Sequence, residues 1–289
     1  MVKIQIVSDL HLEEEALYDT FTIPANDSSH CLALLGNNGS FTDGHEELYL
    51  RFIMRHLREF PMVLFVVGMS ELQGNSPRAV IEILQDFSER IKRKRNSEVM
   101  GEFVFLNNSR WDQPDGNLTF LGSTLFTSPP VTMRDDLATY CRRDTGIFGW
   151  NMGKHLAAHW EARRYLASEV EEIEFSDPDR HVIILTHHCP TLDERAISPH
   201  ESFDPEDRPD IYRYASETRG FAPWDSSVLK MWAFGGTGIN CKYCYDETLV
   251  YSNQRGRHND CPGFQLFEPL WLVTFYSDDD EDDDSDVQL

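Results

Sequence analysis

The chain has 289 residues, of which 40% are hydrophobic and 12% are aromatic. This length and composition are typical of a globular chain with a core of its own, and they exclude a fibrous or wholly disordered protein. The 49 acidic and 26 basic residues give a formal net charge of -23, which disfavours nucleic acid and anionic membranes as partners.

Short apolar runs and helical patterns alternate along the chain. Runs of strand length occur at residues 2–7, 31–35, 63–67 and 182–185, and each is followed by a loop rich in Gly, Ser, Asn, His or Asp. Helical periodicity fits residues 45–59, 79–95 and 150–173, and the last of these predicts one apolar face made of Leu156, Trp160, Leu166, Val170 and Ile173. Strands separated by helices predict an α/β fold whose sheets are covered on both faces.

Two further stretches predict strands that follow one another without helices, at residues 103–126 and 231–275. They indicate a second sheet or an antiparallel edge. Residues 199–224 are rich in Pro, Asp, Glu and Arg and predict a long surface loop.

The ends of the chain suggest an intracellular protein, in the cytoplasm or nucleus. The first residues form a predicted strand and lack the pattern of a signal peptide, and no apolar run is long enough to span a membrane. The six cysteines are therefore expected to be reduced. We expect one domain over residues 1–276 and a disordered acidic tail over 277–289, which would suit a basic protein partner.

The first candidate site is Ser8-Asp9-Leu10-His11, directly after the first predicted strand. Loops at the carboxyl ends of strands commonly build sites in α/β proteins, and a carboxylate and an imidazole two residues apart can both face one metal ion. The motif alone is equally compatible with a capping Asp and a surface His.

Later loops make the pattern more specific. In chain order they carry Gly36-Asn37, Gly68-Met69-Ser70-Glu71, Thr186-His187-His188 and Gly235-Gly236-Thr237-Gly238. This series resembles the calcineurin-like metallophosphoesterases, whose pattern is D-x-H, G-D, G-N-H-E, an isolated His and G-H-x-H. Residues 8–13, 186–188, 232–235 and 252–256 look most similar to a fungal subgroup of small single-domain members. The resemblance covers residues 1–270 and implies a four-layer α/β/β/α sandwich of two mixed sheets flanked by helices.

The resemblance also implies that much of the family's metal site is missing. Asn37 stands where the family has its bridging Asp, and Ser70 stands where it has its candidate acid His. The other lost ligand positions are Met69, Gly236 and Gly238. An amide cannot bridge two cations with two anionic oxygens, and a thioether is a poor ligand for hard divalent ions.

The surviving ligand positions are Asp9, His11 and His187, with Asn37 as a weak oxygen donor. One carboxylate cannot neutralise two dications, so we expect no cofactor, or at most one weakly bound Mn, Fe, Zn or Mg ion. The prediction is a catalytically degenerate enzyme that acts as a binding or scaffold protein. The alternative is a residual metal-dependent phosphoesterase that uses a single ion at Asp9, His11 and Asn37. If the loops are only a retained scaffold, Glu71, Asp9 and His187 would serve to order those loops through hydrogen bonds.

Three other groups of residues allow two interpretations each. Cys241, Cys244, His258 and Cys261 have the ligand types of a structural zinc site, but they also fit a hairpin with reduced cysteines. His155 and His159 lie one helical turn apart without an accompanying Glu, which favours a polar helix face. Arg195 follows the His187 loop closely in sequence. It could face an anion in the cleft where the resemblance places the metal site, or it could be a surface arginine.

Overall fold

The computed structural model describes residues 2–26, 28, 30–42, 44–114, 116–197, 208–256 and 266–275. Within these ranges the strands are β1 Val2–Val7, β2 Cys31–Leu35, β3 Met62–Val66, β4 Glu102–Phe105, β5 Ser109–Asp112, β6 Leu118–Ser123, β7 His181–Thr186, β8 Leu229–Ala233, β9 Cys241–Tyr245, β10 Thr248–Ser252 and β11 Leu272–Phe275. They form a first sheet with the order β11-β1-β2-β3-β4 and a second with the order β5-β6-β7-β8-β10-β9. Both sheets are mixed, because β11, β5 and β9 run antiparallel to their neighbours.

The described helices are α1 Glu46–His56, α2 Met69–Leu72, α3 Pro77–Lys94, α4 Arg134–Arg143, α5 Met152–Ser176 and α6 Glu194–Ile197. Their starts follow ordinary capping chemistry. The Ser76 side chain accepts a hydrogen bond from the Ala79 N–H at 3.3 Å, with Pro77 in the first position of α3. The Asn151 side chain accepts from the Lys154 N–H at 3.0 Å at the start of α5. None of the described helices is long and apolar enough to cross a membrane.

Alternation along the strands produces the layers. In β2, Leu32 and Leu34 pack with α1 and α3, whereas Cys31, Ala33 and Leu35 face the second sheet. In β7, Ile183 and Leu185 complete that inter-sheet core, while Val182 and Ile184 pack towards α5. Since side chains alternate across a strand, continuous apolar runs are what a sheet buried on both faces requires. The predicted fold class, an α/β/β/α sandwich of two mixed sheets, is confirmed.

The predicted apolar face of α5 is wrong in its first half. Leu166, Val170 and Ile173 are buried as expected, but Trp160 is 48% exposed. His155 and His159, predicted to lie on a polar face, are buried instead.

These two imidazoles are buried because they pair with main-chain groups of the loop after β6. The His155 Nε2 accepts from the Thr127 N–H at 3.1 Å, and the His159 Nδ1 donates to the Phe126 carbonyl. The loop would otherwise leave buried polar groups without partners.

The predicted surface loop at 199–224 is also partly wrong. Residues 198–207 lie outside the described part of the chain. Beyond them, the short 3-10 turns Pro209–Arg213 and Ala222–Asp225 bury Ile211 and Trp224 in the core beside α5.

The two sheets meet at the carboxyl ends of β1 and β10. The Ser8 N–H donates to the Asn253 carbonyl at 3.1 Å, and the Arg255 N–H donates to the Ser8 carbonyl at 3.1 Å. This junction places the loops after the parallel strands of both sheets along one margin of the sandwich.

Candidate functional site

The loops after β1 and β2 are joined by their main chains. The N–H groups of Asp9, His11 and Leu12 donate to the carbonyls of Gly36, Asn37 and Asn38 at 3.0, 3.0 and 3.2 Å. Asp9, His11 and Asn37 have positive φ angles of 55°, 47° and 53°. Such conformations are uncommon for non-glycine residues and cluster at functional sites. The pairing brings the Asp9 Oδ1 to 4.0 Å from the His11 Nε2.

The Asn37 side chain is engaged at both ends of its amide. Its Nδ2 donates to the Asp9 Oδ1 at 3.0 Å, and its Oδ1 accepts from the Ser70 main-chain N–H at 2.8 Å. The second contact fixes the amide orientation, because the reverse orientation would set Nδ2 against an N–H donor. Asn37 therefore presents a donor, not an acceptor, to the Asp9 carboxylate.

Glu71 is fully buried and accepts hydrogen bonds from the loops after β2 and β3. Its Oε2 accepts from the N–H groups of Asn37 and Gly68 at 2.8 and 3.0 Å. Its Oε1 accepts from the Asn38 N–H at 2.9 Å and from the Tyr49 hydroxyl at 2.8 Å. Burial raises the pKa of the Glu71 carboxyl above its ordinary value, although these hydrogen bonds oppose the rise. One side chain thus holds the loops after β2 and β3 together.

His187 is held by close main-chain contacts. Its Nδ1 donates to the Leu35 carbonyl at 2.9 Å, so the neutral ring carries its lone pair on Nε2. A Cβ added to Gly36 or Gly68 would lie 2.6 Å or 2.8 Å from the ring, which explains why both positions lack side chains. The same ring lies beside Gly236 of the loop after β8.

The loop after β8 meets Asp9 through its main chain. The Gly236 N–H donates to the Asp9 Oδ2 at 2.9 Å. Gly236 and Gly238 have φ angles of +75° and +71°, a region that side-chain-bearing residues rarely adopt. Gln254 holds the loop, since its Oε1 accepts from the Gly238 N–H at 2.8 Å and its Nε2 donates to the Ile239 carbonyl at 2.8 Å.

The structure therefore brings all five predicted loops together, around Asp9, Asn37, Ser70, His187 and Gly236. Met69, at the start of α2, packs against the apolar core between α1, α3 and the first sheet. It is partly buried there. Gly238 faces open space, because a Cβ built there would have no atom within 4 Å.

Three solved structures resemble this chain. Phosphopantetheinyl hydrolase from Mycobacterium tuberculosis aligns with a TM-score of 0.57 and 14% identity, over 88% of this chain and 89% of its own. The fold is metallophosphoesterase-like. A putative 5'-nucleotidase from Staphylococcus aureus aligns at a TM-score of 0.49 with 14% identity, over 88% of this chain and 49% of its own. A dimetal phosphatase from Danio rerio aligns at 0.48 with 11% identity, over 88% and 87% of the two chains. No protein-family model matches the chain, and no curated protein matches it at a significant level.

The residues of this site do not fit a pair of divalent cations. Asp9 is the one carboxylate among the five loops' ligand positions, and both of its oxygens already accept hydrogen bonds, from Asn37 and Gly236. Two adjacent dications require a shared anion and several further ligands.

A small acidic group flanks the first loop. Ligand atoms of His11, Glu13 and Glu14 lie within 4.8 Å of one another, and the His11 Nδ1 is 3.3 Å from the Glu13 Oε1. Burial lowers the pKa of His11, but the hydrogen bond to Glu13 and the charge of Asp9 outweigh it, so the pKa lies above its ordinary value. His11 is thus an ion-pair partner of Glu13.

The proposed zinc ligands are split by the strand that carries them. Cys241 and Cys244 lie in β9, where Cys241 is buried and Cys244 is exposed. Residues three apart on a strand point to opposite faces, so the two thiols do not converge on one ion there. Burial raises the pKa of the Cys241 thiol to about 12, whereas zinc binds the thiolate. His258 and Cys261 lie outside the described residues, and the zinc site stays a prediction.

Arg195 is occupied by protein groups. Its Nε and Nη2 donate to the two oxygens of Asp193 at 2.9 and 2.8 Å, and its guanidinium lies 3.8 Å from the centre of the Tyr243 ring. An anion would have to displace a two-point carboxylate contact.

Sequence patterns missed two residues whose side chains order the site. Tyr49 donates to Glu71, and Gln254 holds the loop after β8. They also gave no role to Asn38, which is fully buried with neither side-chain polar atom hydrogen-bonded among the described residues. Tyr49 lies on a helix face that reads as apolar, so no local signal marks its hydroxyl. Gln254 lies within residues 252–256, one of the segments that resemble the family. That resemblance was the one available signal that Gln254 belongs to the site.

Proposed function

We propose that this protein is a catalytically degenerate metallophosphoesterase that acts as a binding or scaffold protein. The observation that carries the proposal is the Asn37 amide, which donates to the Asp9 Oδ1 at 3.0 Å while accepting from the Ser70 N–H at 2.8 Å. An N–H group stands where the resemblance implies a bridging carboxylate. A second N–H, from Gly236, donates to the other Asp9 oxygen at 2.9 Å.

The missing proton donor supports the same conclusion. Ser70 occupies the position of the family's candidate acid, and its hydroxyl does not titrate near neutral pH. Metal activation of water and protonation of the leaving group would both be lost. Catalytic groups that act as a unit fail together, so the remaining Asp9 and His11 would supply little rate enhancement.

A residual enzyme with one ion remains the alternative, and one distance favours it. The Asp9 Oδ1 and His11 Nε2 lie 4.0 Å apart, close enough for both to reach one ion after a small adjustment. Asn37 would have to turn its oxygen towards that ion and lose its contact with Ser70. Anomalous scattering from a crystal grown with Mn²⁺ would reveal such an ion between Asp9 and His11.

The proposed partner is a basic protein, bound through the acidic residues 277–289. These lie outside the described part of the chain, and the proposal rests on their charge. Deleting them should weaken association with such a partner, and the loss should shrink as salt is raised. Unchanged affinity would remove the tail from the proposal.

The direct test is hydrolysis of p-nitrophenyl phosphate and bis(p-nitrophenyl) phosphate with Mn²⁺ or Zn²⁺. We expect equal, background rates for the wild-type protein and an Asp9→Ala variant prepared in the same way. The variant controls for contaminating phosphatases, which would remain in both preparations. Reproducible turnover that disappears in Asp9→Ala would overturn the proposal.

A further inference from the structure

The outer edge of β4 presents unpaired main-chain groups. Within the described ranges β4 pairs with β3 alone, and the N–H groups of Glu102 and Leu106 donate to carbonyls on the β3 side at 2.8 Å each. Alternate residues of a strand point their main-chain groups to opposite sides, so those of Phe103 and Phe105 face outwards. The Ser109 hydroxyl donates to the Phe105 carbonyl at 3.3 Å. Among the described residues, no partner pairs with these two outward N–H groups or with the Phe103 carbonyl, so an added strand could bind them.

This edge forms the floor of a groove with a volume of about 530 Å³. One wall is polar and comes from α3, through Gln85, Ser88 and Glu89. The opposite side is apolar, because Val104 and Trp111 pack at the margin of the inter-sheet core. An extended segment laid along β4 would present alternate side chains to these two walls.

The charged residues of the groove indicate which kind of segment would bind there. Its charged lining residues are Glu89 and Glu102, and Glu102 is partly balanced by Arg95 at 3.7 Å. A second copy of this chain would bring another acidic groove and another formal charge of -23 to the same place. A basic segment is therefore favoured over a second copy.

We propose that the β4 groove binds an extended basic segment of a partner protein by strand addition. Basic side chains of that segment face Glu89 on the α3 wall, and the apolar side chains between them pack on Val104 and Trp111. Main-chain hydrogen bonds to Phe103 and Phe105 supply affinity, while the two walls supply specificity. The groove is separate from the Asp9 loops, so this inference goes beyond the proposed function and stands whether or not those loops bind metal.

The test uses the full chain and the peptide acetyl-Lys-Val-Lys-Val-Lys-Val-Lys-amide. Residue-resolved amide hydrogen exchange should slow at least about tenfold at Phe103 and Phe105 with saturating peptide, because their N–H groups gain partners. Val104 should be unchanged, since its N–H already faces β3. A peptide of the same sequence with alternate main-chain N-methyl groups should give no protection.

Charge reversal in the groove provides a matched pair of variants. Glu89→Lys should weaken peptide binding by about threefold or more. Asp86→Lys makes the same change on α3 but faces a different groove, beside Arg90 and Arg93, and should have no such effect. Both side chains are exposed, so both variants should fold.

Three results would overturn the inference. Binding that leaves Phe103 and Phe105 unprotected would place the peptide elsewhere, as on the acidic tail. Equal weakening by the two charge reversals would indicate attraction to overall charge only. Protection of the same amides without peptide, rising with protein concentration, would make a second copy the occupant.

Discussion

The loops of the first sheet and the loop after β8 reach the same carboxylate in different ways. The first-sheet loops carry polar side chains, and Glu71 and Asn37 join them through buried hydrogen bonds. The loop after β8 offers Asp9 only the main-chain N–H of Gly236. Gly236 and Gly238 of this loop offer no side chains, and Gln254 holds the loop in place.

This difference distinguishes the residues that hold the loops in place, which we call the framework of the site, from the residues that would bind an ion. Glu71 and His187 stabilise the loop arrangement by contacts to main-chain groups, which do not require an ion. Gly236 and Gly238 also contribute through their main chains, which donate to Asp9 and to Gln254. The Asp9 carboxylate is thus satisfied by N–H groups of Asn37 and Gly236.

The largest expected effect is on the first-sheet framework. Glu71→Ala would leave three main-chain N–H groups and the Tyr49 hydroxyl buried without their acceptor, so we expect a loss of about 4 kcal/mol in the free energy of unfolding. Urea denaturation measures it. Glu82→Ala removes an exposed ion pair with Arg78 and should cost about 0.5 kcal/mol or less. Similar losses in both variants would contradict the framework role of Glu71.

Two alanine substitutions compare the loops directly. A Cβ at Gly36 would lie 2.6 Å from main-chain atoms of Gly68 and from the His187 ring, so Gly36→Ala should cost about 3 kcal/mol or more. Gly238→Ala adds a Cβ to open space at a φ of +71° and should cost only about 1 kcal/mol, from backbone strain. Thermal unfolding of the two variants ranks them, and the reverse order would refute the packing argument.

The buried histidines of α5 should contribute to acid sensitivity, together with His56 and His188, whose pKa values burial also lowers. Burial lowers the pKa of His155 to about 3 and that of His159 to about 4, with the charge of His159 adding to the shift of His155. The unfolded chain therefore binds more protons below its histidine pKa of about 6.5. The contribution of these two rings to stability should be constant above that pH, and it should fall by about 1.4 kcal/mol per pH unit for each ring between about 6.5 and 4.

Urea denaturation at several pH values checks this expectation. His159→Gln should reduce the slope of the unfolding free energy against pH by the contribution of one histidine, about 1.4 kcal/mol per pH unit. His30→Gln removes an exposed histidine and should leave the slope unchanged. A wild-type stability that does not change between pH 6.5 and 5 would contradict the assignment of neutral buried rings.

Much of the fold could be predicted because its signals are local. The apolar runs gave the bounds of β1 and β2 as the structure has them, and the loops followed in the expected order. The contacts that order the site could not be predicted, because they join residues far apart in sequence. The Asn37 amide is oriented by an N–H 33 residues away, and Tyr49 meets Glu71 across 22 residues.

The histidines of α5 show a second reason for failure. On a helix, an imidazole reads as polar, and periodicity assigns it to solvent. His155 and His159 are buried because the loop after β6 supplies main-chain partners for them, and that loop has no pattern that reveals its path. Tertiary hydrogen bonding decided their environment.

The central claim is that N–H groups replace cations at Asp9, and Mn²⁺ binding to the wild-type protein and to Asn37→Asp tests it. Asn37→Asp sets two carboxylates about 3 Å apart, in place of the present 3.0 Å hydrogen bond, so the apo variant should lose about 1–2 kcal/mol of stability. Asn96→Asp, an exposed change of the same charge, is the control.

Calorimetry and thermal unfolding with millimolar Mn²⁺ give the decisive comparison. We predict no stabilisation of the wild-type protein or of Asn96→Asp, and a clear Mn²⁺-dependent stabilisation of Asn37→Asp, because ligands that bind the native state raise its stability. Stoichiometric Mn²⁺ binding by the wild-type protein, lost in Asp9→Ala, would contradict the account.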